Sequence, residues 1–146
     1  MRVLLAVLIL VFIPILVAGN EPMHPATEIV QKAKQTCNDF ENGIFQTTQK
    51  TITLHDITGD GRLEQFVDAS QFSCSSALTL WGGTGGTYLW IVVDGKPHEF
   101  LGKTWKVVEV DEQPVLLLAV HSSQCSDVIG PCYRAFAWQD GFRTVR

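Results

Sequence analysis

From residue 26 to about 40 the apolar residues Ile29, Val30, Ala33, Cys37 and Phe40 recur at steps of three and four. Glu28, Lys32, Lys34 and Gln35 fall between them. This is the period of a helix with one buried face, and it predicts an amphipathic helix over 26–40. Pro25 suits the first turn, where a missing N–H costs nothing, and Gly43 supplies the stop. Past Gly43 the pattern changes to short apolar runs broken by turn residues. Residues 44–54 are rich in Thr and Ile, 65–69 form a short run, and 88–93 are strongly apolar before Asp94-Gly95. Residues 105–110 alternate, 115–120 are continuously apolar, and the polar 111–114 segment between them suits an antiparallel hairpin. A last pair, 133–138 and 142–145, flanks Gln139-Asp140-Gly141. The expected fold class is α+β: one N-terminal helix packed on a mainly antiparallel β-sheet or small β-sandwich.

The first residues have a different character. Arg2 precedes an apolar run over 3–17, followed by Ala18-Gly19 and the polar Asn20-Glu21-Pro22. A positive start, an apolar middle and small residues before a polar segment make the layout of a secretory signal. Residues 1–19 are therefore expected to be a signal peptide and 20–146 a single disulfide-bonded globular domain, periplasmic or secreted. A membrane anchor fits less well, because about 20 apolar residues are needed to span the hydrocarbon core and this run is shorter and contains Pro14.

Charge narrows the partners. The chain carries eleven Lys and Arg against fifteen Asp and Glu, and Arg2 belongs to the export segment. No basic cluster could neutralise several phosphates, so nucleic acid and anionic membrane surfaces are not expected partners. The four cysteines, Cys37, Cys74, Cys125 and Cys132, all follow the signal, and an even number in an oxidising compartment reads as two disulfides. Three pairings are possible. Cys125 with Cys132 is favoured, because Gly130-Pro131 between them can turn the chain back, and that leaves Cys37 with Cys74. Zinc held by His121, Cys125 and Cys132 would need a spacing that matches no common ligand pattern.

One segment concentrates oxygen ligands: Asp56-Ile57-Thr58-Gly59-Asp60-Gly61-Arg62-Leu63-Glu64. Asp56, Thr58, Asp60 and Glu64 sit at alternating positions and Gly61 follows the third. Calcium takes six to eight oxygens, so a loop must curl around it, and glycine permits the sharp turn. The Arg62 carbonyl would be a further ligand. An EF-hand is the wrong comparison, since its twelfth position is Val67 here and the flanks read as strands. The bland alternative is a hairpin turn whose Asp and Gly residues serve backbone geometry alone.

The loop resembles the D-x-x-G-D-G-x-x-[DE] calcium loops of the integrin-like FG-GAP and VCBS repeat families. The resemblance covers these nine residues and implies calcium as the cofactor. Thr58 replaces the more usual Asn or Asp, and Glu64 the usual Asp. More widely, the run from His55 through Gly86 is similar to a group of uncharacterised exported proteins of α-proteobacteria. The residues that carry this are the loop, Val67-Asp68, Phe72-Ser73-Cys74-Ser75-Ser76 and Gly82-Gly83-Thr84-Gly85-Gly86, with the match continuing through 132–142. Members carry cysteines on either side of the glycine-rich motif. Trp81 and Thr87 stand there in this chain, which implies a lost third disulfide and supports the other four cysteines pairing among themselves.

Other signals have simple readings. The glycine-rich stretch lacks the Lys-Ser/Thr that a phosphate loop requires, and is expected to be a mobile or tight connection. His121 and Ser122, adjacent on a strand, would point to opposite faces and not act together. Among the tryptophans, Trp90 and Trp105 are expected to be buried by their apolar neighbours and Trp81 exposed. The expected function is a non-enzymatic binding or structural module for an envelope component or protein, with a calcium-stabilised loop. The alternative is a small envelope hydrolase using the acidic loop, which would need a cleft joining it to His55 or His121.

Overall fold

The helix forms where the apolar period places it: α1, Pro25–Asp39, with Pro25 in its first turn and Ala26, Ala33 and Cys37 buried. The computed structural model describes residues 24–125 and 132–145. The expected signal peptide and the turn at Gly130-Pro131 lie outside them. After α1 the chain forms β1 (Phe45–Thr47), β2 (Ile52–His55), β3 (Glu64–Asp68), β4 (Phe72–Cys74), β5 (Gly82–Gly83) and β6 (Gly86–Val93). It continues through β7 (Lys96–Gly102), β8 (Thr104–Val110), β9 (Gln113–Val120), β10 (Cys132–Trp138) and β11 (Phe142–Val145). Every pairing is antiparallel.

The strands make three sheets. β1 and β4 form a small one, β11-β10-β9-β8 a second, and β2-β3-β6-β5 with β7 on β6 the third. Among the described residues the fold is thus mainly β with one α-helix, as the periodicity predicts. Strand alternation decides what each face of the largest sheet meets. Phe66, Leu89, Ile91 and Val93 point one way and pack with Leu116 of β9. Val67 and Val92 point the other way and pack under Ala26, with Ile29 and Val30 of α1 against them.

Two disulfides tie this arrangement. Cys37–Cys74 joins the end of α1 to β4 with Cα atoms 5.7 Å apart, and Cys125–Cys132 leads into β10 at 6.1 Å. Both pairings are those the sequence favours. Among the described residues no helix is long and apolar enough to cross a membrane.

The Thr- and Ile-rich run over 44–54 forms two strands in different sheets. Thr48 breaks it, its carbonyl accepting the Thr51 N–H at 3.2 Å and its hydroxyl the Lys50 N–H at 3.1 Å. Hydroxyl side chains that bond nearby backbone compete with the ladder, which turns the chain here.

Candidate functional site

The loop between β2 and β3 is ordered by its own carboxylates. Gly59 and Gly61 have φ of +76° and +85°, a left-handed backbone that glycine adopts without a Cβ clash. That curl aims amides inward. Asp56 accepts from the Gly59 N–H at 2.6 Å and the Gly61 N–H at 2.8 Å, one on each oxygen. Glu64, only 7 % exposed, accepts from the Ile57 N–H at 2.9 Å and the Thr58 N–H at 3.4 Å. Asp60 faces outward, where the Arg62 backbone N–H and guanidinium donate to it at 2.6–2.9 Å. Those bonds, the guanidinium first, hold the Asp60 carboxyl down to about 2. Arg62 also reaches Asp94 of the β6–β7 turn at 3.3 Å.

For calcium the donor set fits in kind: hard oxygens from Asp56, Thr58, Asp60 and Glu64, with the Arg62 carbonyl in the same loop. The Thr58 hydroxyl is buried with no hydrogen-bond partner. Among the described residues no three acidic, His or Cys side chains gather as a metal cluster. Arg62 is the cation that Asp60 holds.

A second feature was not assembled from the sequence. Where α1 crosses β6 and β7, a groove of about 490 Å³ opens, lined by Glu28, Ile29, Lys32, Trp81, Trp90 and Glu99. Trp90 shares its face with Val92, but α1 covers Val92 and leaves the indole half-exposed. Its Nε1–H donates to Glu99 Oε2 at 2.9 Å, and the two residues are directly paired across β6 and β7. Tyr88 stacks on it at 5.5 Å and Phe72 at 6.5 Å. Trp81 meets Phe45 and Phe72 edge-on, both at 5.4 Å. Both indoles are therefore held before any ligand arrives.

The expectation for the tryptophans needs correcting. Trp81, Trp90 and Trp105 are all half-buried. Apolar neighbours along a strand indicate an inward face, but here that face belongs to a groove rim or sheet end. Trp105 is fixed by donating from Nε1 to Asp68 Oδ2 at 2.9 Å. His55 packs edge-on against Phe66 at 4.8 Å and Trp105 at 5.4 Å, and burial lowers its pKa.

His121 also departs from the expected strand geometry. It caps a short 3-10 turn, Ser122–Gln124, accepting the Ser123 N–H at Nδ1 at 3.2 Å. The Ser123 hydroxyl, not that of Ser122, lies 2.8 Å from the same nitrogen. The glycine-rich stretch is a tight connection, β5 pairing back on β6 through Gly82 with Thr87 and Gly83 with Gly86. Compared with family models, curated proteins and solved structures, the chain gives no match.

Proposed function

We propose that this is an exported, non-enzymatic binding module that takes an envelope glycan in the Trp81–Trp90 groove. The observation that carries the reading is the pair of prefixed indoles beside Glu28, Lys32 and Glu99. A sugar ring has a flat hydrocarbon face and hydroxyls at its edge. Indoles match the face, while carboxylates accept from, and an ammonium donates to, the hydroxyls. The two disulfides support export, since such bonds persist in oxidising compartments. Residues 1–19 as a signal peptide and kinship with the exported α-proteobacterial group belong to the same reading. So does a small β-sandwich formed by the two larger sheets, with the groove on its helix-covered face.

The acidic loop serves here as a support that calcium binds, using Asp56, Thr58, Asp60, the Arg62 carbonyl and Glu64. On this reading the ion takes the place of the Arg62 guanidinium at Asp60. The hydrolase alternative draws less support. A general acid needs a pKa near the working pH, and Asp60 is held far below it. Asp56 and Glu64 are engaged by loop amides.

Co-sedimentation of the oxidised protein with insoluble chitin and cellulose tests the proposal. Retention on either polymer is expected, with Trp81→Ala weakening it at least about tenfold, since buried aromatic anchors dominate binding surfaces. Retention indifferent to Trp81 and Trp90, or none on either polymer, would overturn it.

A further inference from the structure

The sheet formed by β8, β9, β10 and β11 is apolar on both faces. Its inner side chains, Leu116, Leu118 and Phe136 among them, belong to the core. The register fixes what lies on the other face. One row across the four strands reads Lys106, Leu117, Ala135, Val145, and the next reads Val108, Val115, Ala137, Arg143. Ala119 and Tyr133 extend the patch past the first row. Val115, Ala119 and Ala137 are buried, Val108, Leu117 and Ala135 are half-buried, and Tyr133 and Val145 are 58 % and 42 % exposed. Among the described residues, none of these apolar side chains belongs to a hydrophobic cluster. An antiparallel sheet with one face in water alternates apolar and polar residues, whereas the run 115–120 contains no polar residue. Both faces of this sheet are therefore built for burial.

Charge at the two ends of the outer face selects its partner. Because the strands run antiparallel, the β8–β9 and β10–β11 turns share one end, and they carry Asp111, Glu112 and Asp140, all exposed. Arg143, a row in from these turns, offsets part of their charge. Lys103, just before β8, and Lys106, in the first half of β8, stand toward the other end. A second copy laid face to face, turned about a two-fold axis that crosses the strands, sets the lysines of each copy against the acidic turns of the other. Turned instead about an axis along the strands, like ends would meet and repel. Stacked sheets keep their strands within about 30° of each other, which either axis allows, so charge decides between them. Strands of 7, 8, 7 and 4 residues, each residue covering about 3.4 by 4.8 Å, give the face roughly 400 Å² in plan. Two such faces with their turns approach the roughly 1,000 Å² of a specific interface.

We propose that this face joins two copies of the chain, sheet on sheet, with their strand ends exchanged. Val108, Leu117 and Ala135 fill the middle of the interface, and Lys106 of each copy meets the Asp111-Glu112 turn of the other. The Trp81–Trp90 groove lies against α1, on the far side of the other large sheet, so both grooves of the dimer stay open. Dimerisation is thus independent of what the groove binds.

The test is the molar mass of the oxidised protein by sedimentation velocity from roughly 1 to 200 µM, the range in which a small interface dissociates. A dimer is expected in the upper part of that range. Leu117→Lys sets an ammonium in the apolar middle of the face and is expected to leave monomer throughout. Lys106→Glu and Glu112→Lys are each expected to weaken the dimer at least about tenfold, because each substitution acts twice across the two-fold axis. Both positions are exposed, and unchanged circular dichroism of the two variants will confirm their fold. Mixed in equal amounts, these two variants are expected to recover the wild-type mass, since each chain then supplies the charge that the other lacks. Trp81→Ala should leave the mass unchanged, which separates this face from the groove. Three results would overturn the proposal: a wild-type protein still monomeric at the top of the range, a dimer that survives Leu117→Lys, or a mixture no heavier than its two components.

Discussion

Glu64 shows how much one side chain contributes to the loop. Its carboxylate is the acceptor for the Ile57 N–H, and Ile57 is itself buried. Glu64→Ala leaves that donor without a partner, which costs about 1–3 kcal/mol. Urea unfolding should show this loss, with Glu64→Gln losing less because it keeps an acceptor; an unchanged midpoint in Glu64→Ala would contradict the assignment. Asp60 makes a pH prediction. Its carboxyl is lowered from 3.8 to about 2, so its stabilising contribution is complete above 3.8 and is lost as pH falls through about 2. Carbon-13 NMR of the carboxyl should follow that titration, and Arg62→Ala should return it toward 3.8. His55 and His98 also act in the acid direction, since burial lowers both, with the Lys96 charge adding to the effect at His98. Their unfolded forms take the proton first, so stability declines as pH falls below the ordinary 6.5. At this scale the sequence showed which oxygens lie in the loop. It did not show that Asp60 faces Arg62 while Glu64 turns inward, because both choices follow from the curl at Gly59 and Gly61.

At the scale of elements, periodicity carried most of the fold. α1 and the strands from β8 to β11 lie within a residue or two of their expected bounds, since each buries a regular face. β7 was not predicted. It pairs with β6 alone, and its Lys96-Pro97-His98-Glu99 start is too polar to read as a strand. An edge strand tolerates both that polarity and the proline, because one side of it needs no ladder. The disulfides differ in what they constrain. Cys37–Cys74 spans 37 residues and Cys125–Cys132 spans 7, so loop-closure entropy assigns about 4 kcal/mol to the first and about 2.5 kcal/mol to the second. Paired Cys→Ser variants compared by urea unfolding should rank in that order. The loop between β2 and β3 makes its own prediction. Calcium that binds only the folded state raises the thermal midpoint over that in chelator, by about 2.7 kcal/mol of stability at a hundredfold excess over Kd. Asp60→Asn should abolish the rise, and identical midpoints with and without calcium would leave the loop as a self-capped turn.

The whole molecule brings together what the chain keeps apart. Glu28 and Lys32 come from α1, Trp81 precedes β5, Trp90 lies in β6 and Glu99 in β7, and only the packing of α1 across the sheet makes them one groove. No local spacing relates these positions, so the sequence could offer four tryptophans but not the two that share a surface. The helix itself sets the opening. It covers Val67 and Val92 with Ala26 and leaves the Trp90 indole at its margin. The same packing separates the proposed ligand groove from the acidic loop, although the Arg62–Asp94 ion pair links the loop to the turn beside the groove. The most direct test of the glycan-binding proposal is calorimetric titration of the oxidised protein with chitotetraose and cellotetraose. The account predicts saturable binding of at least one tetramer, weakened at least about tenfold in Trp81→Ala and little changed in Glu64→Gln. Absence of heat with both tetramers, or binding that Trp81→Ala leaves untouched, would contradict it.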